Sequence, residues 1–489
     1  MENITEGIME IKSLEKTIFV WVCQLGCKIM EGYLRQWDQI LMSQRDTNQY
    51  RYVDCRSRGI KTIMGTIPYE RNYYKKTDGS GYVALLDEAI GLEKGTGLVS
   101  EYLAEQIANE CTDKSYRKAA ESVSTLTGQP ISRMGAWNIV QGFGGRVQKQ
   151  VERLKELDDS GTVGQLGNVS SPVLFAEFDD IWLNMQREER KKAGEPEKKG
   201  RRRIGKKPMH IGTAYTGWEE KRDGSYETMN KFAFAGFSEA AVFATRFEAL
   251  LRQRYDMDGI ERLIINGDGE GWIKTVAENN DAILQLDPFH KSQAIMRAVK
   301  DKDERKKIHD ALNKKDVEKT LDHISALIAK TSDEPTLKKL EALLTYFDNN
   351  KDYLLPWQER GIAMPAPPEG VTYRNMGLQE HNNCDLITQR MKHRKGSWSP
   401  NGATNMAAVL CLRNTIGINA MLGILPEMPE AVAPPEPLSA AKTPQQDGKG
   451  YGAAWLYAKM PFVETFVTAG RDAIRGLLGQ RKISDLKFI

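Results

Sequence analysis

Cysteine is scarce in this 489-residue chain, which has six cysteines at scattered positions and no C-x-x-C pair. This low density argues against a disulfide framework or a structural zinc site and favours free thiols in a reducing compartment. Long apolar runs are also lacking. Residues 18–27 fall well short of the roughly 20 residues that a membrane span needs. We therefore expect no signal peptide, no membrane segment and a cytoplasmic location.

Net charge is low as well, because 69 basic residues nearly balance 66 acidic ones. A total of +3 does not indicate a partner. Basic residues are instead concentrated in residues 187–208, where 11 of 22 positions are Lys or Arg and four are acidic. A solvated loop would explain this run, and so would a hairpin that grips phosphates. The candidate phosphate-binding residues are Arg201, Arg202, Arg203, Lys206 and Lys207.

The length of the chain predicts two to four domains, since single cores stop growing near about 250 to 300 residues. The patterns predict an α/β fold in which an all-helical insertion interrupts a mixed sheet, preceded by an α+β region with a helix-turn-helix. The expected segments are an amino-terminal helix with a small β region (1–97), a DNA-binding helical region (98–160), the first part of the α/β core (170–293), the insertion (294–356), the last part of the core (357–425), a Pro-rich linker (426–450) and a helical tail (451–489).

The helix-turn-helix prediction comes from residues 115–141. A helix from Ser115 to Leu126 is followed by a Thr-Gly-Gln-Pro turn and by a second helix that starts near Ser132. The second helix could enter a major groove, with Arg133 and Asn138 facing bases or phosphates. Two helices joined by a Gly-containing turn are also common in bundles, so packing alone is the alternative.

Three acidic residues stand in distinctive settings. Asp179 lies inside the first strand of the α/β region, where a buried ionisable group is costly unless it is paired or binds a metal. Asp268 follows the fourth strand of that region between two glycines, and Glu380 opens a late helix. Each acid also has an ordinary structural explanation. Asp179 could lie at a strand edge in water, and its neighbour Asp180 could be the acid that faces inward instead. Asp268 could be a plain turn aspartate, and Glu380 could be an acid favoured by the helix dipole.

Asp287-Pro288 is a good helix start, which leaves His290 on the first turn and, as a secondary hypothesis, near the acids. Three carboxylates without a Cys or His cluster form a hard oxygen site that selects Mg²⁺, or Mn²⁺ as a substitute. Such a site suits a phosphodiester substrate. No G-x-x-x-x-G-K-[ST] motif occurs, so we expect no nucleotide cofactor.

In their order, the motifs resemble bacterial insertion-sequence transposases of the DDE type, in the Mutator-like branch. The similarity lies in FAEFDD, INGDGEGWIK, DPFH, QEHNNCDLITQRM and HRKGSWSPNGATNMA, and it extends over most of residues 50–415. The resemblance implies an RNase H-like core with Asp179, Asp268 and Glu380 as metal ligands. It also implies a catalytic or accessory role for His290 and Asp287, and an accessory role for the region around Trp398.

The sequence therefore favours a transposase that binds the ends of an insertion sequence and uses Mg²⁺ to cut and join DNA strands. Its expected partners are double-stranded DNA at the element ends and at the target, and a second copy of the chain in a synaptic complex. When bound to DNA it would lie on the bacterial nucleoid. The alternatives are a catalytically silent DNA-binding relic or regulator of the same fold, and a metal-dependent nuclease.

Overall fold

The computed structural model describes residues 11–92, 99–161, 167–186, 205–393 and 396–416. These residues form two compact units: residues 11–60 with 64–92, and residues 61–63 with the described residues from 99 onward. Arg201, Arg202 and Arg203, together with the predicted linker and tail at 426–489, lie outside the described residues. None of the helices in the described ranges has the length and apolar character needed to cross a membrane.

A long helix and a small sheet make up the first unit. Its elements are α1 (Ile11–Gln44), β1 (Tyr50–Lys61), β2 (Thr66–Lys76), β3 (Tyr82–Val83) and α2 (Leu85–Ala89), with the strands in the order β1-β2-β3. The second half of α1 packs on the sheet through Leu34, which joins Ile67, Tyr69 and Leu86 in one core. The apolar residues of the first turns do not share that core, and Ile11 is 83% exposed.

The second unit begins with three helices that precede a mixed sheet. Its helices up to residue 279 are α3 (Glu101–Asp113), α4 (Tyr116–Thr127), α5 (Arg133–Asp159), α6 (Ala240–Arg254) and α7 (Gly271–Asn279). Its strands are β4 (Val173–Met185), β5 (Gly205–Tyr215), β6 (Trp218–Glu220), β7 (Tyr226–Thr228), β8 (Phe232–Gly236), β9 (Arg262–Gly267) and β10 (Ile283–Leu286).

Five of these strands form the central sheet, in the order β10-β9-β4-β5-β8. The strand β4 lies in the middle, pairs antiparallel with β5 and runs parallel to β9, while β5 is antiparallel to β8 and β9 is parallel to β10. The sheet is therefore mixed, as the sequence predicts. The short strand β10 adds a fifth member that the four-strand interpretation of the sequence did not include.

Helices cover both faces of the sheet. On one face, Ile181 and Leu183 of β4 join a core with α3, α4 and α5. Even-numbered residues, such as Leu174 and Phe178, join a core with α6 and α7 on the other face. This alternation follows from the two-residue period of a strand, and it decides which polar residues of β4 lie together.

Four helices form the region after β10, and a last group returns to the sheet. The first group is α8 (Pro288–Ala298), α9 (Lys302–Asn313), α10 (Val317–Lys330) and α11 (Glu334–Asp348). The last group is α12 (Gln379–Asn383), a π turn (Cys384–Thr388), α13 (Gln389–Met391) and α14 (Pro400–Arg413), and short 3-10 turns lie at Met257–Gly259, Lys351–Tyr353 and Trp357–Glu359.

The region after β10 has a core of its own, which includes Ile308, Ile324 and Phe347. The helix that the sequence predicts to start near Ser132 continues without a break to Asp159 as α5. Gly144 and Gly145 lie within it, and Gly144 packs so closely against Asn405 that a Cβ atom there would collide.

Candidate metal centre

Asp179 and Asp180 point to opposite faces of the central sheet. The side chain of Asp179 is 7% exposed, and its Oδ2 accepts a hydrogen bond from Nδ2 of Asn383 at 2.5 Å. Asp180 instead lies 2.5 Å from Nδ1 of His210 on β5. The sequence left open which of the two adjacent acids faces the site. In the structure it is Asp179, which faces the helical run 379–391.

Three side chains from distant parts of the chain meet at this face. Asp179, His290 and Glu380 each offer one ligand atom, and these atoms all lie within 4.8 Å of one another. They come from β4, from the first turn of α8 and from the first turn of α12. The His290 Nε2 atom is 3.6 Å from Oδ1 of Asp179. The structure thus brings together two of the three predicted ligands with the predicted histidine.

Asp268 lies beside this group without being one of its three members. It directly follows β9, where its Oδ1 accepts the backbone N–H of Glu270 at 3.0 Å. Its backbone carbonyl accepts a hydrogen bond from the hydroxyl of Tyr346 at 2.7 Å, which ties the end of β9 to α11. The positive φ of +90° at Gly269 explains the glycine there, since the turn needs a left-handed residue.

Two carboxylates near Asp179, those of Asp268 and Glu380, have raised pKa values. Burial raises the pKa of Asp268, and the charges of Asp179 and Asp180 raise it further. Burial also raises the pKa of Glu380, to which the charge of Asp179 adds. Like charges in a poorly solvated site favour protonation unless a positive charge compensates them.

His290 supplies part of that positive charge. Burial lowers the pKa of its imidazole, but the close approach of the Asp179 carboxylate and the charges of Asp179, Asp287 and Asp268 outweigh this effect and raise the pKa to about 9. The local fold fixes the position of the ring, because Asp287 caps α8 by accepting the backbone N–H of His290 at 3.0 Å. The Asp-Pro helix start predicted from the sequence is present.

Trp398 lies at the far end of the helical run that carries Glu380. Its backbone pairs with the end of β4, and its indole Nε1–H donates to the carbonyl of Met391 at 3.0 Å. The side chain is 9% exposed and contacts the core shared by α3, α5 and α14. Trp398 therefore anchors this run to the sheet, and it does not belong to the three-residue group.

The predicted DNA-contacting residues in the described ranges are exposed. Arg133 is the first residue of α5, whose N-cap Ser132 accepts the backbone N–H of Gly135. Asn138 is also exposed, whereas Ala136 and Ile139 are buried between the helices. At the start of β5, Lys206 and Lys207 are exposed.

Sequence reasoning missed three polar residues that surround the acids. Glu177 and Asn266 are fully buried, and Asn383 is 4% exposed. Glu177 stands two residues before Asp179, so strand alternation alone could have placed both acids on one face. Asn383, three residues after Glu380 in a helix, carried a similar signal. Asn266 carried no such signal in the sequence, because its partners Glu177 and Asp287 are far from it along the chain.

The donor set fits a hard divalent cation. Two carboxylates with adjacent ligand atoms and a third nearby offer oxygen ligands, and His290 lies beside them as a positively charged neighbour. The described residues place no cysteine in this group. Oxygen-rich sites of this kind suit Mg²⁺ or Mn²⁺ better than softer metals.

The chain belongs to the uncharacterised protein family UPF0236, which matches residues 4–421. Two UPF0236 proteins of Caldanaerobacter subterraneus subsp. tengcongensis are similar to it. One is 24% identical over 426 residues, which cover 83% of this chain and 76% of the relative, and its name joins many locus designations of that genome. The other is 25% identical over 423 residues, which cover 83% of this chain and 77% of the relative.

Solved structures give weak matches. A Drosophila P element transposase strand transfer complex aligns with 69% of this chain and 85% of its own at 9% identity, with a TM-score of 0.21. The Mos1 strand transfer complex aligns with 51% and 77% at 10% identity, with a TM-score of 0.13. TM-scores this low do not define a shared fold.

Proposed function

We propose that the protein is a DDE-type transposase that binds the ends of an insertion sequence and catalyses Mg²⁺-dependent cleavage and transfer of DNA strands. The observation that carries this proposal is the convergence of Asp179, His290 and Glu380, whose ligand atoms lie within 4.8 Å of one another. The sequence predicts Asp179 and Glu380 as metal ligands together with Asp268, and it places His290 near these acids as a secondary hypothesis. Exposed acids without a shared role are not expected to meet in this way from distant parts of the sequence.

The arrangement of the second unit supports an RNase H-like core. The strand that bears the first acid is central, the strand that precedes the second acid is its parallel neighbour, and a helical region separates the second acid from the third. The central position of β4 places Asp179 where elements from both flanks can reach it.

In this proposal Asp179, Asp268 and Glu380 hold Mg²⁺, and the carboxylates act as ligands rather than as bases. When bound, the metal supplies activation of a water or 3′-hydroxyl and stabilisation of the leaving oxygen. Asn383 orients Asp179 through its 2.5 Å hydrogen bond. His290 holds the opposite oxygen of Asp179 and adds positive charge beside the place where a phosphate would bind.

DNA binding is assigned to the helices α4 and α5 and to the start of β5. Gly128 ends α4 in the left-handed conformation, with φ of +67°, and α5 begins five residues later, as in a helix-turn-helix. Arg133 and Asn138 would contact DNA from the start of α5. Lys206 and Lys207 would contact phosphates, and so would Arg201, Arg202 and Arg203, which lie outside the described residues.

The name of one relative also agrees with a mobile element, because it assigns a single protein to many loci of one genome. Genes that insert themselves at new positions are expected to occur in several copies. Synapsis of two ends would further require at least two copies of the chain acting together.

The test is a strand-transfer assay with the purified full chain and DNA that contains the regions flanking its gene. We expect nicked and joined products with Mg²⁺ or Mn²⁺ but not with Ca²⁺. Asp179→Asn and Glu380→Gln should abolish these products without weakening DNA binding. Binding without any product would instead support a silent DNA-binding protein, and cutting without joining would support a nuclease.

A further inference from the structure

Glu177 is a buried carboxylate that accepts hydrogen bonds from five neutral donors. It lies two residues before Asp179 on β4 and has no exposed surface. Its donors are the hydroxyl of Tyr215 (2.5 Å), Nδ2 of Asn266 (3.0 Å) and the backbone N–H groups of Gly377 (3.3 Å), Leu378 (3.4 Å) and Gln379 (3.1 Å).

Three of these donors belong to the start of the helical run that carries Glu380. The first N–H groups of a helix lack partners within the helix and need a cap. Leu378, the N-cap residue of α12, makes no side-chain cap hydrogen bond. Glu177 supplies the acceptor from another element, and its negative charge also suits a helix amino terminus.

Asn266 connects the same carboxylate to the helix of His290. Its Nδ2 group donates to Glu177 and also to Oδ1 of Asp287 at 2.8 Å. Asp287 in turn caps α8 through the N–H of His290. Glu177 and Asn266 are paired in register across β4 and β9. One buried polar connection thus joins the amino-terminal ends of the two helices that carry His290 and Glu380.

We propose that Glu177 is a positioning residue that fixes Glu380 against Asp179 and, through Asn266, couples this placement to His290. The inference rests on the proposed metal site and deepens it. An apolar side chain at 177 would avoid the cost of burying a charge, but it would leave the three amides of the run without their acceptor. The start of the run would then shift, and Glu380 would no longer hold its place beside Asp179.

The experiment measures Mn²⁺ affinity of the full chain at one pH, by electron paramagnetic resonance of the free ion. Glu177→Gln keeps the size of the side chain but turns an accepting oxygen into an NH₂ group that faces N–H donors. Glu177→Asp keeps the charge but is one methylene shorter. We expect both variants to bind Mn²⁺ roughly ten- to 100-fold more weakly, as is typical when a partner of a metal ligand is removed. If both variants lose Mn²⁺ affinity, Glu177 acts through the position of its accepting oxygens, because Glu177→Asp keeps the negative charge.

Tyr215→Phe is the matched control, because it removes one donor to Glu177 and leaves the amides of the helical run paired. It should lower the unfolding temperature and leave Mn²⁺ affinity unchanged within error. If both Glu177 variants also lower the unfolding temperature but bind Mn²⁺ as the wild type does, Glu177 only stabilises the fold and the inference is wrong. Failure of the wild type to bind Mn²⁺, or wild-type binding by Asp179→Asn, would remove the metal site itself and this inference with it.

Discussion

Asn383 donates a hydrogen bond to Asp179 across 204 residues of sequence, with 2.5 Å between Nδ2 and Oδ2. This contact joins the middle of the central strand to the helical run that brings Glu380. It lies next to a π turn at Cys384–Thr388, a helix irregularity that often occurs at functional sites. The same contact distinguishes Asp179 from the adjacent Asp180, whose side chain points to the other face of the sheet.

The paired variants Asp179→Asn and Asp180→Asn test that selection. Asp179→Asn should lose strand transfer and bind Mn²⁺ at least tenfold more weakly, because it removes a charged ligand from the group. Asp180→Asn should change both properties much less, since Asp180 is paired with His210 on the other face of the sheet and acts on the site only through its charge. Titration with Mn²⁺ and product analysis on gels measure the two effects. Equal losses in both variants would contradict the assignment.

Trp398→Phe tests whether the tryptophan acts on the fold or on the metal. The variant loses the indole N–H bond to Met391 but keeps an aromatic ring in the core. We expect a loss of about 1 kcal/mol in stability, the usual net value of one hydrogen bond. Mn²⁺ affinity should stay at the wild-type value, because this anchor lies at the opposite end of the helical run from Glu380. Thermal unfolding and Mn²⁺ titration of the same samples separate the two possibilities.

Arg133→Ala and Asn138→Ala should weaken binding to the element ends by about 1 to 3 kcal/mol each while changing binding to unrelated DNA less. Arg153→Ala, an exposed change on the same helix but far from its start, is the control and should bind as the wild type does. Electrophoretic mobility shifts on both DNA types give the comparison. Equal behaviour of Arg133→Ala and Arg153→Ala would remove α5 as the recognition helix.

Lys206→Ala and Lys207→Ala should act differently from changes in α5. Both lysines are exposed, and phosphate contacts carry no sequence information. Each variant should weaken binding to all DNA alike and should reduce the slope of log K against log salt by about 1. Fluorescence anisotropy at four salt concentrations measures that slope. An unchanged slope would place these residues outside the DNA interface.

His210 should make stability depend on pH. Its hydrogen bond to Asp180 raises the pKa of His210 against the opposing effect of burial, and the charges of Asp180, Glu270 and Glu239 add to the rise. A raised pKa in the folded state stabilises the protein below the unfolded value, near pH 6.5, and the contribution is lost as pH rises through the folded value. His210→Gln should therefore lower the unfolding temperature more at pH 6 than at pH 9. The opposite order would contradict a charged His210–Asp180 pair.

Much of the local structure was predictable because it depends on neighbours in sequence. Ser115 and Ser132 cap α4 and α5, and Asp287 caps α8, where the sequence predicts these helix starts. The apolar strand around Asp179 was equally visible, since its period and composition are local properties. The strand β10 was not recognised, because four residues carry too little pattern to separate a strand from a loop.

The candidate residues and their local elements were thus predicted by the sequence alone: an acid within a buried strand, an acid after a strand, a capped histidine helix and a late helix with Glu380. Only the tertiary structure decided that Asp179 faces the helical run 379–391 while Asp180 faces His210, that His290 and Glu380 lie close to Asp179, and that Glu177 and Asn266 are buried next to them. The physical reason is that caps and strand periods act over a few residues. Contacts across 100 to 200 residues instead depend on how the whole sheet and its covering helices pack.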